Sequence, residues 1–203
     1  MKLYFSPGAC ALASQIVLRE AGLKFDLIKV DLAAKLTAEG ADYLKINPKG
    51  YVPALQDDSG EVYTEGAVIL QRIADQAQDK KLLPKFGTKE RYHAMEWLNF
   101  VATELHKGFS ILFNKAINEE GRQSVIAKLQ LRLEFLNNHL LKSGGYVLGT
   151  EFSAVDAYVF NIMRWSRLHK LDISKYTGIL GLMEKVGNRP SARAALDGEG
   201  LKP

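Results

Sequence analysis

The chain has 203 residues, of which 25% are charged and 47% hydrophobic, as is typical of globular proteins. Its net charge of +4 is scattered rather than clustered, which argues against a nucleic-acid-binding surface. A single cysteine excludes an internal disulfide and fits a reducing cytoplasm. No run approaches the roughly 20 apolar residues of a membrane-spanning helix, and Lys2–Phe5 resembles a strand rather than a signal peptide. We therefore expect a cytoplasmic protein without a membrane or nucleic-acid partner.

The N-terminal part of the chain alternates strand-like and helix-like patterns. The predicted elements are a strand at Lys2–Phe5, a helix at residues 9–21, a strand at 25–31, a short helix at 41–46, two strands around the turn Asp58–Gly60 and a helix at 67–77. This order, βαβ followed by ββα, predicts a small α/β domain over residues 1–78.

The C-terminal part of the chain is helical in pattern. Residues 79–87 combine charges with Pro84 and Gly87, which is typical of a linker. Residues 88–203 then show helical periodicity, and a capping-box pattern at Ser153–Asp156 begins a helix that is apolar nearly all round. Such a helix belongs at the centre of a bundle. The apolar stripe of the first helix consists of Met95, Leu98, Ala102, Leu105, Phe109 and Leu112. The predicted fold is an α/β domain followed by an all-α domain.

Two short motifs in the α/β domain offer backbone groups to a ligand. Pro53 stands directly before the third predicted strand and favours an extended Val52, whose N–H and C=O could pair with an extended ligand. Glu65 and Gly66 precede a helix, where unpaired N–H groups attract carboxylates. The alternative is a plain β-hairpin and helix in which Pro53 is only a turn residue.

Cys10 lies at the predicted start of the first helix. A lone cysteine is often a small buried hydrophobic residue. At a helix start, however, unpaired N–H groups and the helix dipole stabilise a thiolate, so we expect a thiol that reacts near neutral pH. Residue 13 is alanine, so Cys10 has no partner for a CxxC dithiol.

A polar strip follows the first helix of the C-terminal part. Asn99, Thr103 and His106 are spaced i, i+4 and i+7, and they form either a solvated helix edge or the wall of a cleft. No two histidines have metal-ligand spacing, so no metal is expected, and nucleotide-binding motifs are absent. The remaining histidines, His93, His139 and His169, are expected at the surface.

Together these motifs resemble the cytosolic glutathione S-transferases, and the bacterial beta class in particular. The resemblance spans essentially the whole chain, and its motifs agree in order and spacing. They are YFSPGAC around Cys10, Lys35, NPKGYVPAL around Pro53, YTEG around Glu65, Asn99, His106 and Ser153–Asp156. The resemblance implies a thioredoxin-like domain, a helical domain, a cis bond before Pro53, glutathione as cosubstrate and a homodimer. The stripe of the first helix and the strand edge at residues 61–63 agree with a two-fold pair.

The resemblance also assigns ligand-binding roles in the thioredoxin-like domain. The backbone of Val52 would pair with the cysteinyl unit of glutathione. Glu65 and the N–H of Gly66 would hold the γ-glutamyl end, and Lys35 would face the glycyl carboxylate. The family usually has serine where this chain has Gly66, so the N–H is kept and a hydroxyl is lost.

The remaining assignments concern the reaction. Cys10 would meet the glutathione sulfur, and Asn99, Thr103 and His106 would close the site from the helical domain. The expected reaction is attack of glutathione thiolate on a small hydrophobic electrophile, with thiol–disulfide exchange through Cys10 as a second reaction. The alternatives are a glutathione-dependent reductase or dehalogenase in which Cys10 attacks covalently, and a non-catalytic ligand-binding protein.

Overall fold

The computed structural model describes residues 1–202, which form two compact units. One comprises Met1–Lys85 together with the C-terminal residues from Arg189 onward, and the other comprises Phe86–Asn188. The change from one unit to the other after Lys85 lies within the linker predicted at residues 79–87. The C-terminal residues differ from the sequence-based division, which placed them with the helical domain.

The first unit is built around a five-stranded sheet. Its elements are β1 (Lys2–Phe5), α1 (Ala11–Glu20), β2 (Asp26–Asp31), β3 (Leu36–Thr37), β4 (Ala54–Gln56), β5 (Val62–Thr64), α2 (Gly66–Gln76) and the last helix, α9 (Pro190–Gly198), with short 3₁₀ turns at Tyr43–Lys45 and Gln78–Lys80. The strand order is β3-β2-β1-β4-β5. Strands β1 and β2 run parallel, and the other pairs are antiparallel. The predicted thioredoxin-like fold is confirmed, with β3 as an addition in a segment that lacks a strand pattern.

Helix α1 is the buried helix of this unit, because eight of its ten residues are buried. It packs against α2 and α9. The contact with α9 is partly ionic: the guanidinium of Arg189 donates to both carboxylate oxygens of Glu20, at 2.6 and 2.9 Å. Glu199 follows α9 and accepts from the N–H of Gly8 at 2.8 Å and from the side-chain amide of Gln15. These contacts explain why the last helix belongs to the first unit.

The second unit is all helical. Its elements are α3 (Lys89–Phe100), a π-helical segment (Val101–His106), α4 (Lys107–Leu112), α5 (Glu119–Ser143), α6 (Ala154–Met163), α7 (Trp165–Leu168) and α8 (Thr177–Gly187). Every residue of α6 is buried, which confirms that it forms the centre of this unit. No helix within residues 1–202 combines the length and the apolar character needed to cross a membrane.

The buried face of the first helical stretch differs at two positions from the apolar stripe of the sequence. Ala94 and Val101 are buried, whereas Met95 and Ala102, which the stripe predicted from the sequence includes, are only partly buried. This part of the periodicity prediction is therefore wrong.

The start of α6 is held by a buried carboxylate. Asp156 accepts from the hydroxyl and the N–H of Ser153 at 2.6 and 2.8 Å, and from the N–H of Val147 at 2.7 Å. Burial raises the pKa of Asp156 to about 6, although these hydrogen bonds lower it. The predicted capping box is therefore present, and it also ties the preceding loop to the central helix.

Candidate functional site

The thiol of Cys10 connects two loops of the first unit. Cys10 is the N-cap residue of α1 and is partly buried. Its Sγ donates a hydrogen bond to the carbonyl oxygen of Val52 at 3.2 Å. The bond joins the start of α1 to the residue that precedes the cis peptide bond of Pro53.

The thiol of Cys10 is protonated at neutral pH. Its pKa is raised from the ordinary value of 9.0 to about 12, mainly by burial; the backbone N–H of Cys10 lowers it, and the charges of Glu199 and Glu65 contribute to the rise. Donation to the Val52 carbonyl also stabilises the neutral form. The shift is opposite to the one expected from the position of Cys10 at a helix start, because desolvation outweighs the helix dipole.

Side chains hold the backbone of the residue that precedes Val52. The carbonyl of Tyr51 accepts from the hydroxyl of Tyr43 at 3.0 Å and from the amide of Asn47 at 2.7 Å. The carbonyl of Val52 accepts from the Cys10 thiol with one of its two lone pairs. The N–H of Val52 donates no hydrogen bond to any of residues 1–202.

Lys35 is held beside the same loop. Its backbone has a φ of 58°, which is unusual for a residue with a side chain. Its ammonium donates to the carbonyl of Gly50 at 2.7 Å. The structure therefore places a cation two residues before Val52, next to the segment that was predicted to bind an extended ligand.

Glu65 shows backbone strain together with an ion pair. Its φ of 67° lies in the left-handed region, where non-glycine residues are strained and cluster at functional sites. Its carboxylate accepts from the ammonium of Lys49 at 2.5 Å, and Lys49 also donates to the hydroxyl of Thr64 at 2.9 Å. Lys49 was missed at the sequence level although it lies within NPKGYVPAL, because nothing local shows that it reaches Glu65.

The start of α2 offers backbone donors beside Glu65. The carbonyl of Glu65 accepts from the N–H groups of Val68 and Ile69. The preceding N–H groups, of Gly66 and Ala67, have no acceptor in the part of the chain that the structure describes. This is the arrangement that binds a carboxylate at a helix start.

In the second unit, the three residues of the predicted polar strip differ in their exposure. Asn99 and Thr103 are exposed, and the hydroxyl of Thr103 donates to the carbonyl of Asn99 at 3.0 Å. His106 ends the π-helical segment and is partly buried. Its Nδ1 lies 2.7 Å from the hydroxyl of Tyr158, and its ring lies edge-on to Trp165 at 5.1 Å. His106 is thus fixed by packing, unlike the two residues that precede it on the strip.

The other histidines were expected at the surface, which is right for His93 only. Nε2 of His139 lies 2.7 Å from the carbonyl oxygen of Val147. His169 is buried at 9% exposure between the rings of Phe109 and Phe113, and burial lowers its pKa. The prediction is wrong for His139 because the carbonyl of Val147 lies beside its ring. It is wrong for His169 because the rings of Phe109 and Phe113 pack against it.

Comparisons with known proteins agree along the whole chain. The models of the glutathione S-transferase N-terminal and C-terminal domains match residues 8–76 and 100–190. Glutathione S-transferase GstA of Escherichia coli O157:H7 is 44% identical, and the match covers 100% of both chains. Among solved structures, a ternary complex of the bacterial transferase BphK is 47% identical with a TM-score of 0.97, over 99% of this chain and 100% of that one. A sphingomonad glutathione S-transferase complexed with glutathione is 39% identical with a TM-score of 0.95, over 100% of both chains.

The protonation of Cys10 can be tested by alkylation with iodoacetamide, followed by intact-mass spectrometry. Because only the thiolate reacts, a pKa of about 12 predicts slow alkylation at pH 7.5 and a rate that still rises about tenfold per pH unit up to pH 9.5. The same chain unfolded in urea should react like a free cysteine. A rate for the folded protein that reaches a plateau below pH 8 would show that the thiol is ionised instead.

Proposed function

The chain belongs to the glutathione S-transferase family and is an enzyme of that family. From this premise we propose that it transfers the glutathione thiol to small hydrophobic electrophiles. The observation that carries the proposal is the set of ligand-binding groups in the first unit. Val52 offers an N–H, the start of α2 offers two more, Glu65 offers a carboxylate and Lys35 offers an ammonium. These groups complement the peptide bond, the γ-glutamyl carboxylate, the γ-glutamyl ammonium and the glycyl carboxylate of glutathione, respectively.

The γ-glutamyl end carries both charges of an amino acid. Its carboxylate would bind the N–H groups of Gly66 and Ala67, and its ammonium would bind Glu65. In the structure Lys49 pairs with Glu65. We propose that the ligand ammonium takes over part of this pairing, so that the strained Glu65 is held ready by Lys49 before glutathione binds.

Cys10 would act as a hydrogen-bond donor to the glutathione sulfur, and its single S–H would turn from the Val52 carbonyl to that sulfur when the ligand binds. A protonated thiol can donate to a bound thiolate and so lower the pKa of glutathione, whereas a second thiolate would repel it. The proton of the glutathione thiol then leaves to water. In the reaction with an aryl chloride, the sulfur lone pair forms the new carbon–sulfur bond, and chloride departs with the electron pair of the broken bond.

Thiol–disulfide exchange and covalent attack through Cys10 have less support from this geometry. Both need a Cys10 thiolate, and the raised pKa of Cys10 opposes its formation. Thiol–disulfide exchange of Cys10 with oxidised glutathione, the second reaction expected from the sequence, should therefore be slow at neutral pH. The roles of Asn99, Thr103 and His106 in glutathione binding stay predictions, as does the cytoplasmic location.

A homodimer is also proposed, on grounds that differ from those at the sequence level. The apolar stripe of the first helical stretch is largely buried within the second unit, so it does not serve a partner. Strand β5 is an edge of the sheet, as expected. Large apolar side chains are also exposed on the second unit, and an interface between copies would cover them. They include Phe86 at 73%, Tyr92 at 62%, Leu131 at 66% and Phe135 at 56%.

Replacing Glu65 by alanine tests the anchoring of the ligand. Loss of a charged hydrogen bond to the ligand ammonium should cost about 1.5–3 kcal/mol, or about 10- to 150-fold in the Kd for glutathione measured by calorimetry. Glu61→Ala, an exposed carboxylate four residues earlier, is the matched control and should bind normally. Equal Kd values for Glu65→Ala and the parent protein would remove Glu65 from the site.

Conjugation of 1-chloro-2,4-dinitrobenzene tests the proposed reaction and the role of Cys10 together. The parent protein should accelerate the reaction above the uncatalysed rate. Cys10→Ser keeps a hydrogen-bond donor and should retain more activity than Cys10→Ala, which should still be measurable. An inactive parent protein that binds glutathione would instead support the ligand-binding alternative. Equal and complete loss in both variants would make Cys10 a nucleophile.

Sedimentation equilibrium at micromolar concentration tests the proposed dimer. The chain mass is 22.6 kDa, and we expect a single species of twice that mass, because a dimer would cover exposed apolar surface. If the mass of the species stays the same on dilution, the two chains bind each other tightly. A species of one chain mass throughout would contradict the proposal.

A further inference from the structure

The side chain of Lys49 reaches from the loop before β4 to the start of α2. Its ammonium lies 2.5 Å from the Glu65 carboxylate and donates to the hydroxyl of Thr64 at 2.9 Å. Its backbone N–H donates to the side-chain oxygen of Asn47 at 3.1 Å, and Asn47 is only 2% exposed. Lys49 is therefore held at its backbone by a buried residue and at its ammonium by the ion pair.

The carboxylate of Glu65 has Lys49 as its charge partner. Glu65 is the N-cap residue of α2, but its side chain makes no capping hydrogen bond. Among residues 1–202 no cation other than Lys49 forms an ion pair with it. The side chains of Lys49 and Glu65 are 45% and 61% exposed, so a ligand can reach the pair. A ligand ammonium that binds Glu65 thus competes with Lys49 for the same carboxylate.

We propose that Lys49 is a specificity-determining residue, which sets how strictly the protein requires the ammonium of the γ-glutamyl unit. The competition follows from the ion pair, whereas its meaning for glutathione rests on the proposed function. Glutathione gains a contact with Glu65 but displaces part of an existing ion pair, which reduces its advantage. A ligand without the ammonium leaves the pair intact, so Glu65 stays neutralised beside the ligand carboxylate. The ligands admitted therefore include thiol peptides whose γ-linked acyl end carries a carboxylate without an ammonium.

Removal of the Lys49 charge should make the protein more selective, because specificity is a difference between two affinities. In Lys49→Met the Glu65 carboxylate has no partner before a ligand binds. The glutathione ammonium then meets no competitor, whereas a ligand without it brings its carboxylate beside an uncompensated anion. Lys49 also attracts ligand carboxylates, but both ligands carry them, so this effect cancels in the ratio of the two Kd values.

Calorimetry at low ionic strength tests the proposal with glutathione and with glutaryl-cysteinyl-glycine, which lacks only the α-amino group. The measured quantity is the Kd of the analogue divided by the Kd of glutathione. We expect this ratio to rise about 1.4- to 5-fold in Lys49→Met, the effect of one exposed ion pair, and to stay at the parent value in Lys49→Arg, which keeps the charge. A ratio in Lys49→Met that is equal to or lower than that of the parent protein would overturn the proposal.

Two further variants show whether the effect passes through Glu65. Lys45→Met removes an exposed lysine four residues earlier and is the matched control for the loss of one charge, so its ratio should equal that of the parent protein. In a Glu65→Gln background, Lys49→Met should leave the ratio unchanged, since the carboxylate is gone. A rise that persists in that background would overturn the proposal. Urea unfolding of each variant shows that it is folded under the conditions of the titration.

Binding to the parent protein separates this proposal from the proposed function. If glutathione binds the parent protein and Lys49→Met leaves the ratio unchanged, only the role of Lys49 fails. If neither thiol binds the parent protein, the proposed function fails, and the role of Lys49 in specificity fails with it.

Discussion

The hydrogen bond from the Cys10 thiol to the Val52 carbonyl is the contact on which the proposed chemistry depends. It joins the first helix to the residue before the cis peptide bond of Pro53. It also stabilises the neutral form of the thiol. In the proposed complex this S–H would turn to the glutathione sulfur, and the unpaired N–H of Val52 would meet the peptide group of glutathione.

Like this hydrogen bond, the charges around Cys10 favour the neutral form of its thiol. Glu65 approaches from the start of α2 and Glu199 from the end of α9, and both disfavour a thiolate on Cys10. Glu199 also holds the N–H of Gly8, so the last helix supports the loop that carries the thiol. The ammonium groups of Lys35 and Lys49 lie instead beside Gly50 and Glu65, among the groups proposed to bind the ligand. The thioredoxin-like unit thus favours an anionic ligand over an anionic Cys10.

Much of the fold could be predicted from the sequence, because strand alternation, helical periodicity and the capping pattern at Ser153 are local signals. The two-residue strand β3 is too short to show a pattern, and the buried face of the first helical stretch includes Ala94 and Val101 rather than Met95 and Ala102. Motif spacing brought Glu65 into the candidate site, but its partner Lys49 lies 16 residues away. The pKa of Cys10 depends on burial and on Glu199, which follows it by almost the whole chain. Such contacts become visible only in three dimensions.

The central claim is that glutathione, and not Cys10, supplies the thiolate. Thiolates absorb in the ultraviolet where thiols do not, and this chain has one cysteine, so a difference spectrum at pH 7.4 assigns the anion. The account predicts that the protein alone shows no thiolate band above that of its own unfolded form, and that adding glutathione produces one thiolate per chain. A full thiolate band in the protein alone, with no increase when glutathione binds, would contradict it.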